Sequence, residues 1–487
     1  MIDTKALRQK ILDLAFQGKL TEQLPEDGTG EELFQQIQEE KRRLEDEGKI
    51  KKNKPLPQID ETEIPFEIPE SWKWTRIKDV CIKIVDGDHN PPPGINEKTE
   101  YIMLSAQNII DDQIGNLEKV RYLSKDVFIL ENTRTNLEEG DILLTIVGTI
   151  GRSCVYTGDN HYCFQRSVAV ITTRLFPKYL KYVFDSSYIQ QYMSKNATGD
   201  AQLGFYLNKL EKLVIPIPSY SEQIRIVNTI ESFISYLHKI DELKKKYEDN
   251  LSSLKSKLID AAIQGKLTEQ LPEDGTAEEL YQQIQQEKRK LVAEGKIKKQ
   301  KLLSSVSDGE KLFDIPENWI WVRWGNVINI VSARRVHQSD WKKEGIPFYR
   351  AREIAKLAEF GFVNNELFIS EELFNEFSKT GVPQPGDLMV TGVGTLGRTY
   401  VVGKGDRFYY KDASVLCFEN YGKIDPYYLA FVMRSDMMKQ QIGSNSSGTT
   451  VDTLTMVRMV MYLLPLPPLA EQKRIVARLE ELLPLCE

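Results

Sequence analysis

The chain has 487 residues, 41% of them hydrophobic, and a formal net charge of −7. That length holds two domains of roughly 150 residues plus connecting structure, and the mildly acidic balance neither marks nor excludes a nucleic-acid binder, because local patches outweigh the total. The charged N-terminal segment is not a signal peptide, no apolar run approaches the roughly 20 residues needed to span a bilayer, and the four histidines give no zinc-site spacing. The five cysteines, Cys81, Cys154, Cys163, Cys417 and Cys486, form no CxxC pair and fit reduced thiols in a cytoplasm.

Gln17–Thr29 reads QGKLTEQLPEDGT and recurs letter for letter at Gln264–Thr276, 247 positions later. Solenoid periods run about 20–50 residues, so this one means two tandem copies of one large unit. The likeness continues through EELFQQIQEEKRRLEDEGKIKK (Glu31–Lys52) and EELYQQIQQEKRKLVAEGKIKK (Glu278–Lys299). It returns in IPESWKWTRIKDV (Ile68–Val80) and IPENWIWVRWGNV (Ile315–Val327), then in GDILLTIVGTIGR (Gly140–Arg152) and GDLMVTGVGTLGR (Gly386–Arg398). Each copy closes with IPIPSYSEQIRIV (Ile215–Val227) or LPLPPLAEQKRIV (Leu464–Val476). Between these landmarks the copies diverge: one scaffold carries two variable regions, which implies two related sites with different preferences. The identical segments also suit recombination that exchanges the variable regions.

The variable regions, 66–218 and 313–467, read as mixed strand and helix. Asp141–Val147 and Asp387–Val393 are strand-like and end at glycine turns; Pro177–Met193 and Pro426–Gln441 are helical in pattern. Trp72, Trp74, Trp319, Trp321 and Trp324 are expected in packing. The polar loops carry the candidate site. In the first copy they hold Asp88, His89 and Asn90, then Gln107 and Asn108, Arg152, and Gln165 with Arg166. In the second they hold Arg334 and Arg335, then Arg350, Arg352 and Glu353, Arg398, and Lys411. Gln and Asn suit bidentate contacts to adenine, Arg to guanine and Glu to cytosine, and Arg beside a glycine turn suits phosphate. This is the pattern of two readers of different DNA half-sites; the alternative is solvated loops and internal salt bridges.

Ser221–Gln264 contains no Pro or Gly, and an apolar seam falls at Ile226, Ile230, Phe233, Leu237, Ile240, Tyr247, Leu251, Leu254 and Leu258. With Lys244 in the one polar slot, the steps alternate four and three, a heptad pattern that predicts a coiled coil. Such a helix is about 66 Å long, and Gly265 supplies its stop. Glu471–Glu487 matches the first part of this helix, with Ile475, Leu479, Leu482 and Cys486 on the seam; the N-terminal segment matches its last part, with Leu7, Ile11 and Leu14. The repeat is therefore circular, cut within one helix, and the terminal helices are expected to lie antiparallel to the central one with pseudo-twofold symmetry. Pro484 is expected to kink or fray the last helix.

Catalytic motifs are weak. Asn90-Pro-Pro-Pro resembles the Asn-Pro-Pro-aromatic loop of adenine-N6 methyltransferases, but a third proline replaces the aromatic and no cofactor strand precedes it. GVGTLG (Gly392–Gly397) has GxGxxG spacing but no following acidic residue in a βαβ context.

The repeated IPE-x-W-x-W, GD…GT-[IL]-GR, [IL]P[IL]P…EQ-x-RIV and LTEQLPEDGT…EEL…EGKIKK motifs, in this order and twice, resemble the specificity (S) subunit of type I restriction–modification systems. The resemblance implies an α+β fold: two mixed α/β target recognition domains separated by a long antiparallel coiled coil. It implies an N-terminal helical region (1–65), the first recognition domain (66–218), the central helix and its extension (219–312), the second recognition domain (313–467) and a C-terminal helix (468–487). Each recognition domain would read one half of a bipartite double-stranded DNA target, and the helices would set the spacer. Two modification (methyltransferase) subunits and restriction subunits would be the partners, with S-adenosylmethionine, ATP and Mg on those partners, none on this chain, no catalytic residue here, no membrane, and a cytoplasmic location. Two other readings remain: a coiled-coil adaptor for protein or glycan, which predicts no salt-dependent DNA affinity, and a stand-alone methyltransferase, which predicts binding of S-adenosylmethionine by the chain alone.

Overall fold

The repeated segments fold alike because each carries its own punctuation. Pro25–Asp27 forms a short 3-10 turn, Gly28 turns the backbone at φ 76°, and Thr29 caps the next helix. Thr29 Oγ1 accepts from the Glu32 N–H at 3.1 Å, and the Glu32 carboxylate accepts from the Thr29 N–H at 2.8 Å, a reciprocal capping box. Thr276 and Glu279 repeat it at 3.3 and 3.1 Å.

The computed structural model describes residues 2–52, 55–158, 161–199, 202–379, 381–443 and 453–486. The chain divides into two units, residues 1–244 and 245–487. Unit one contains helices α1 (Thr4–Phe16), α2 (Gly30–Asp46), α3 (Lys125–Thr135) and α4 (Pro177–Asp185), and the start of α5 (Tyr220–Ile263). Its strands are β1 (Lys73–Arg76), β2 (Cys81–Asp86), β3 (Tyr101–Leu104), β4 (Ile142–Thr145), β5 (Ser153–Val155), β6 (His161–Phe164), β7 (Val168–Thr173) and β8 (Val214–Ile217). An antiparallel sheet runs β2-β7-β4-β5; β3 pairs in parallel with β6, and β1 with β8 antiparallel.

Unit two repeats this plan. It holds the end of α5, then α6 (Ala277–Ala293), α7 (Ala351–Phe360), α8 (Pro426–Arg434) and α9 (Leu469–Leu482). Its strands are β9 (Ile320–Arg323), β10 (Asn329–Ser332), β11 (Ile346–Tyr349), β12 (Leu388–Thr391), β13 (Thr399–Val401), β14 (Tyr409–Tyr410), β15 (Val415–Glu419) and β16 (Leu463–Leu466). The sheet order is β10-β15-β12-β13, with β11 parallel to β14 and β9 antiparallel to β16.

The shared motifs are joints. Glu222 is buried and its carboxylate accepts from Trp72 Nε1 at 2.9 Å, Gln23 at 3.0 Å and Thr21 at 3.2 Å. Glu471 does the same with Trp319 at 2.7 Å, Gln270 at 2.8 Å and Thr268 at 3.0 Å. A Cβ on Gly18 would stand 2.3 Å from Pro69, and one on Gly265 2.4 Å from Pro316; glycine is required there because the IPE proline presses on it. The tryptophans are packing residues: Trp72, Trp319, Trp321 and Trp324 are buried, and Trp74 stands edge-on to Phe66.

Within unit one α1 runs antiparallel to the start of α5. Thr4 bonds Asp241 at 2.8 Å, whereas Thr21 and Gln23, beyond the other end of α1, reach Glu222. Ile11, Leu12, Ala15 and Phe16 share a core with Ile226, Val227, Ile230 and Leu237. Within unit two α9 opposes the end of α5, and Ile475 and Leu479 share a core with Ile259, Ala262 and Ile263.

The seam is only partly as expected. Ile226, Ile230 and Leu237 are buried, Ile240, Leu251 and Leu258 half-buried, but Phe233, Tyr247 and Leu254 are 42%, 60% and 46% exposed. Ile234 packs on the core in place of Phe233, and α1 starts at Thr4, opposite Asp241, so Tyr247 lies past the end of this partner. The expected single helices after the sheets also break, at Ser186 and Ser435, into Pro177–Asp185 with Ser187–Asn196 and Pro426–Arg434 with Asp436–Gly443. Ser186 Oγ donates to Val183 O at 2.7 Å and accepts from Ile189 N, which ends one helix and caps the next. As expected, α5 stops before Gly265 (φ 72°), and α9 gives way at Leu483 to a 3-10 turn containing Pro484.

Candidate nucleic-acid interface

In unit one, the loops after β2, between β4 and β5, and before β7 all emerge at one end of the four-stranded sheet. Backbone bonds stitch them to the ends of β3 and β6. The Asp88 N–H donates to Phe164 O at 2.7 Å, the Arg166 N–H to Asp88 O at 2.8 Å, the Gln165 N–H to Leu104 O at 2.9 Å, and the Ile146 N–H to Ser167 O at 2.9 Å. The approach is tight enough that a Cβ on Gly87 would stand 2.0 Å from Phe164 O. Residues from distant parts of the sequence, Asp88, His89, Asn90, Gln107, Asn108, Arg152, Gln165 and Arg166, thus share one edge.

Their roles differ. Asn90, Gln107, Arg152 and Arg166 are exposed and Gln165 half-buried, and among the described residues their side chains have no partner. Asp88 is half-buried and its carboxylate accepts from the Asn90 N–H at 3.0 Å, shaping the loop. His89 Nε2 lies 2.8 Å from Asp86, whose other oxygen accepts from Arg134 at 2.5 Å. Asn108 is a correction to its expected role in reading bases. It is 1% exposed, accepts from the Ser105 N–H at 3.0 Å and donates to Gly115 O and Asn116 O at 3.2 and 3.1 Å, so its amide is fully used inside the fold.

In unit two the loops after β10, between β12 and β13, and before β15 likewise share one end of the sheet, joined by the end of β11. The Lys411 N–H donates to Tyr349 O at 2.8 Å and the Gly392 N–H to Ser414 O at 2.9 Å. Arg334, Arg335, Arg350, Arg352, Glu353, Arg398 and Lys411 are brought together there. Arg335 pairs with Asp412 at 3.0 Å and stays 70% exposed; Arg334 lies over the Phe377 ring and pairs with Glu376 at 3.1 Å. Arg398 and Lys411 are exposed without a side-chain partner among the described residues. Glu353 is the second correction: it is 2% exposed and caps its own helix. Burial alone would raise its carboxyl, but bonds from Arg350 at 2.8 Å and Arg352 at 2.9 Å hold it at about 2. It orients two arginines and does not face outward.

Sequence reading missed three residues at these edges. Arg134, on α3, braces Asp86 and His89. Gln202 is exposed and reaches over the Gly148 turn, where its Nε2 would stand 2.6 Å from a Cβ. Arg434, the last residue of α8, lies next to the turn that carries Arg398. None sits in a repeated motif, so no sequence signal marked them.

The comparisons with known proteins agree with the fold. Residues 69–248 and 316–485 each match the model of the type I restriction modification DNA specificity domain. The chain is similar to the type I restriction enzyme EcoAI specificity subunit of Escherichia coli, 27% identical over 545 residues that cover 99% of this chain and 89% of that protein. It is similar also to the EcoEI specificity subunit of the same organism, 26% identical over 562 residues with the same coverage. A solved chain from a study of the assembly and conformational transition of the type I R-M system superposes with a TM-score of 0.56 at 17% identity, over 87% of this chain and 92% of that one.

Proposed function

This chain belongs to the type I restriction modification DNA specificity family, and from that premise we propose a residue-level account of how it selects its target. It is a specificity subunit, a DNA-recognition component and not a catalytic one, and the family carries no cofactor of its own. Each unit reads one half of a bipartite double-stranded target with the end of its four-stranded sheet. In unit one, Asn90, Gln107 and Gln165 read base edges while Arg152 and Arg166 hold phosphate. In unit two, Arg334, Arg335 and Arg352 read base edges while Arg398 and Lys411 hold phosphate. Asn108 and Glu353 position these groups.

The observation that carries this reading is the gathering of dispersed, exposed, hydrogen-bonding side chains at one sheet end in each unit, with different residue types in the two. Gln and Asn present paired donors and acceptors that fit adenine, whereas an arginine-rich edge favours guanine. The exposed stripe of α5, with Phe233, Leu243 and Tyr247, is the docking face for two methyltransferase subunits, and the helices fix the unread spacer. Restriction subunits complete the complex; S-adenosylmethionine, ATP and Mg belong to the partners, and the complex works in the cytoplasm.

The test is methylome sequencing of a host expressing this chain with its modification subunit, against the same host without this chain. A new bipartite methyl-adenine motif is expected. A methylome identical in the two hosts, with both subunits expressed and folded, contradicts the reading.

A further inference from the structure

The two units differ at one helix terminus beside the reading edge. Pro177–Asp185 and Pro426–Arg434 are equivalent nine-residue helices, each starting on proline and followed by a serine whose N–H returns to Val183 or Val432. The last helical residue is Asp185 in unit one and Arg434 in unit two. Asp185 is enclosed by Lys181 at 2.7 Å and Arg8 at 3.3 Å, and Asp112 bridges the same two cations at 2.6 and 2.7 Å. That network is closed: two carboxylates and two cations pair with one another in four ion pairs, and Arg152 stands alone beside it.

Arg434 has no such network. It is exposed, lies over the Phe431 ring at 5.5 Å, and among the described residues has no carboxylate partner. The turn carrying Arg398 packs on the same helix end, since a Cβ on Gly397 would stand 3.7 Å from Met433 and 3.5 Å from Ile442. Partial desolvation against the packed helix end and the positive charge of Arg398 pull the Arg434 guanidinium below its ordinary value. Two like-charged guanidiniums, one on a helix end and one on the glycine turn packed against it, repel each other, and an anion between them relieves that repulsion. A guanidinium presents parallel N–H donors that match a phosphodiester bidentately.

We propose that Arg398 and Arg434 form a clamp for one backbone phosphate of the DNA half-site held by unit two, and that unit one, with Asp185 at the equivalent position, has no such clamp. This rests on the DNA-reading function proposed above. Arg434 adds affinity without sequence information, so unit two anchors the duplex more strongly than unit one.

The test uses the full chain bound to its modification subunit, with fluorescence anisotropy on target and scrambled duplexes over a series of KCl concentrations. Arg434→Ala should reduce the slope of log affinity against log salt by about 0.9, the value for one phosphate contact, and weaken binding by a similar factor on both duplexes. Arg434→Lys should keep the slope. Arg434→Gln, which retains the stem over Phe431, should behave as Arg434→Ala and guards against a packing artefact. A single uncharged methylphosphonate scanned through the unit-two half-site should weaken the wild type most at one position and weaken Arg434→Ala less there, because only Arg398 still contacts that phosphate. A wild-type slope in both the Ala and Gln variants overturns the clamp while leaving DNA reading intact. A wild-type complex with no salt-dependent DNA affinity removes the underlying function instead.

Discussion

Asp387 and its partner site make unit two sensitive to pH, in a direction that the equivalent position of unit one explains. In unit one Lys83 donates to Asp141 at 3.1 Å. In unit two Asn329 stands where Lys83 does and donates to Glu419 at 2.5 Å, so no ammonium is supplied. Asp387 is 3% exposed, and burial raises its carboxyl from 3.8 to about 6, against the bonds it accepts from Gln384 and Asn420. Burial raises the Glu419 carboxyl also. A carboxyl whose folded value is raised binds its proton more tightly in the folded state. Its contribution to stability is complete below 3.8 and is lost as pH rises through about 6. For Asp387 alone that loss is about 1.4 kcal/mol between pH 5 and 7.5, and Glu419 adds in the same direction. Glu353, held at about 2, contributes the opposite way but only below its ordinary value of 4.5, outside this interval. Asn329→Lys supplies the missing ammonium next to a cavity of about 830 Å3 that Asn329 and Glu419 line; it should stabilise unit two at pH 7.5 and flatten the dependence. Hydrogen exchange of peptides covering β12 and β15, at matched intrinsic rates, reads this unit separately. Protection in the wild type that is equal or greater at pH 7.5, or a pH response that Asn329→Lys leaves unchanged, would refute this role of Asp387.

Other consequences follow from the joints and the edges. Glu222→Ala strands the buried Trp72 Nε1 and the Gln23 and Thr21 donors; urea unfolding followed by exchange in unit one should show a loss of about 2–4 kcal/mol, and an unchanged midpoint would refute the joint. All five cysteines are buried, and burial pushes the Cys81, Cys154 and Cys163 thiols to about 12, so Ellman's reagent should find no fast thiol until the chain is unfolded. Gln165→Ala should relax methylation at one base of one half-site by about 1–3 kcal/mol of discrimination; relaxation in both halves would disprove its assignment to a single reader.

The repeat, the tandem plan and the strand positions were legible because glycine turns, capping residues and apolar spacing are local signals. The boundaries of the long helix were equally legible, with its stop before Gly265. What the spacing did not encode was which residues meet a neighbour: Phe233 keeps heptad spacing, yet Ile234 takes its place on the core, and Tyr247 keeps it too, yet Thr4 opens α1 opposite Asp241. The site was legible as a set of loops and not as a set of roles. Asn108 and Glu353 have the chemistry of base readers, but each is turned inward by a short-range cap that only the folded backbone reveals. Arg134 and Arg434 lie on helices whose packing, not their sequence neighbourhood, brings them to the edge.

The most direct measurement of the central claim exchanges residues 66–218 for the equivalent region of a specificity subunit with a different target and sequences the methylome of the host. Replacement of one half of the bipartite motif, with the other half and the spacer retained, is the expected result. A change in both halves, or in neither while the hybrid subunit folds and assembles, would contradict the assignment of one half-site to each unit.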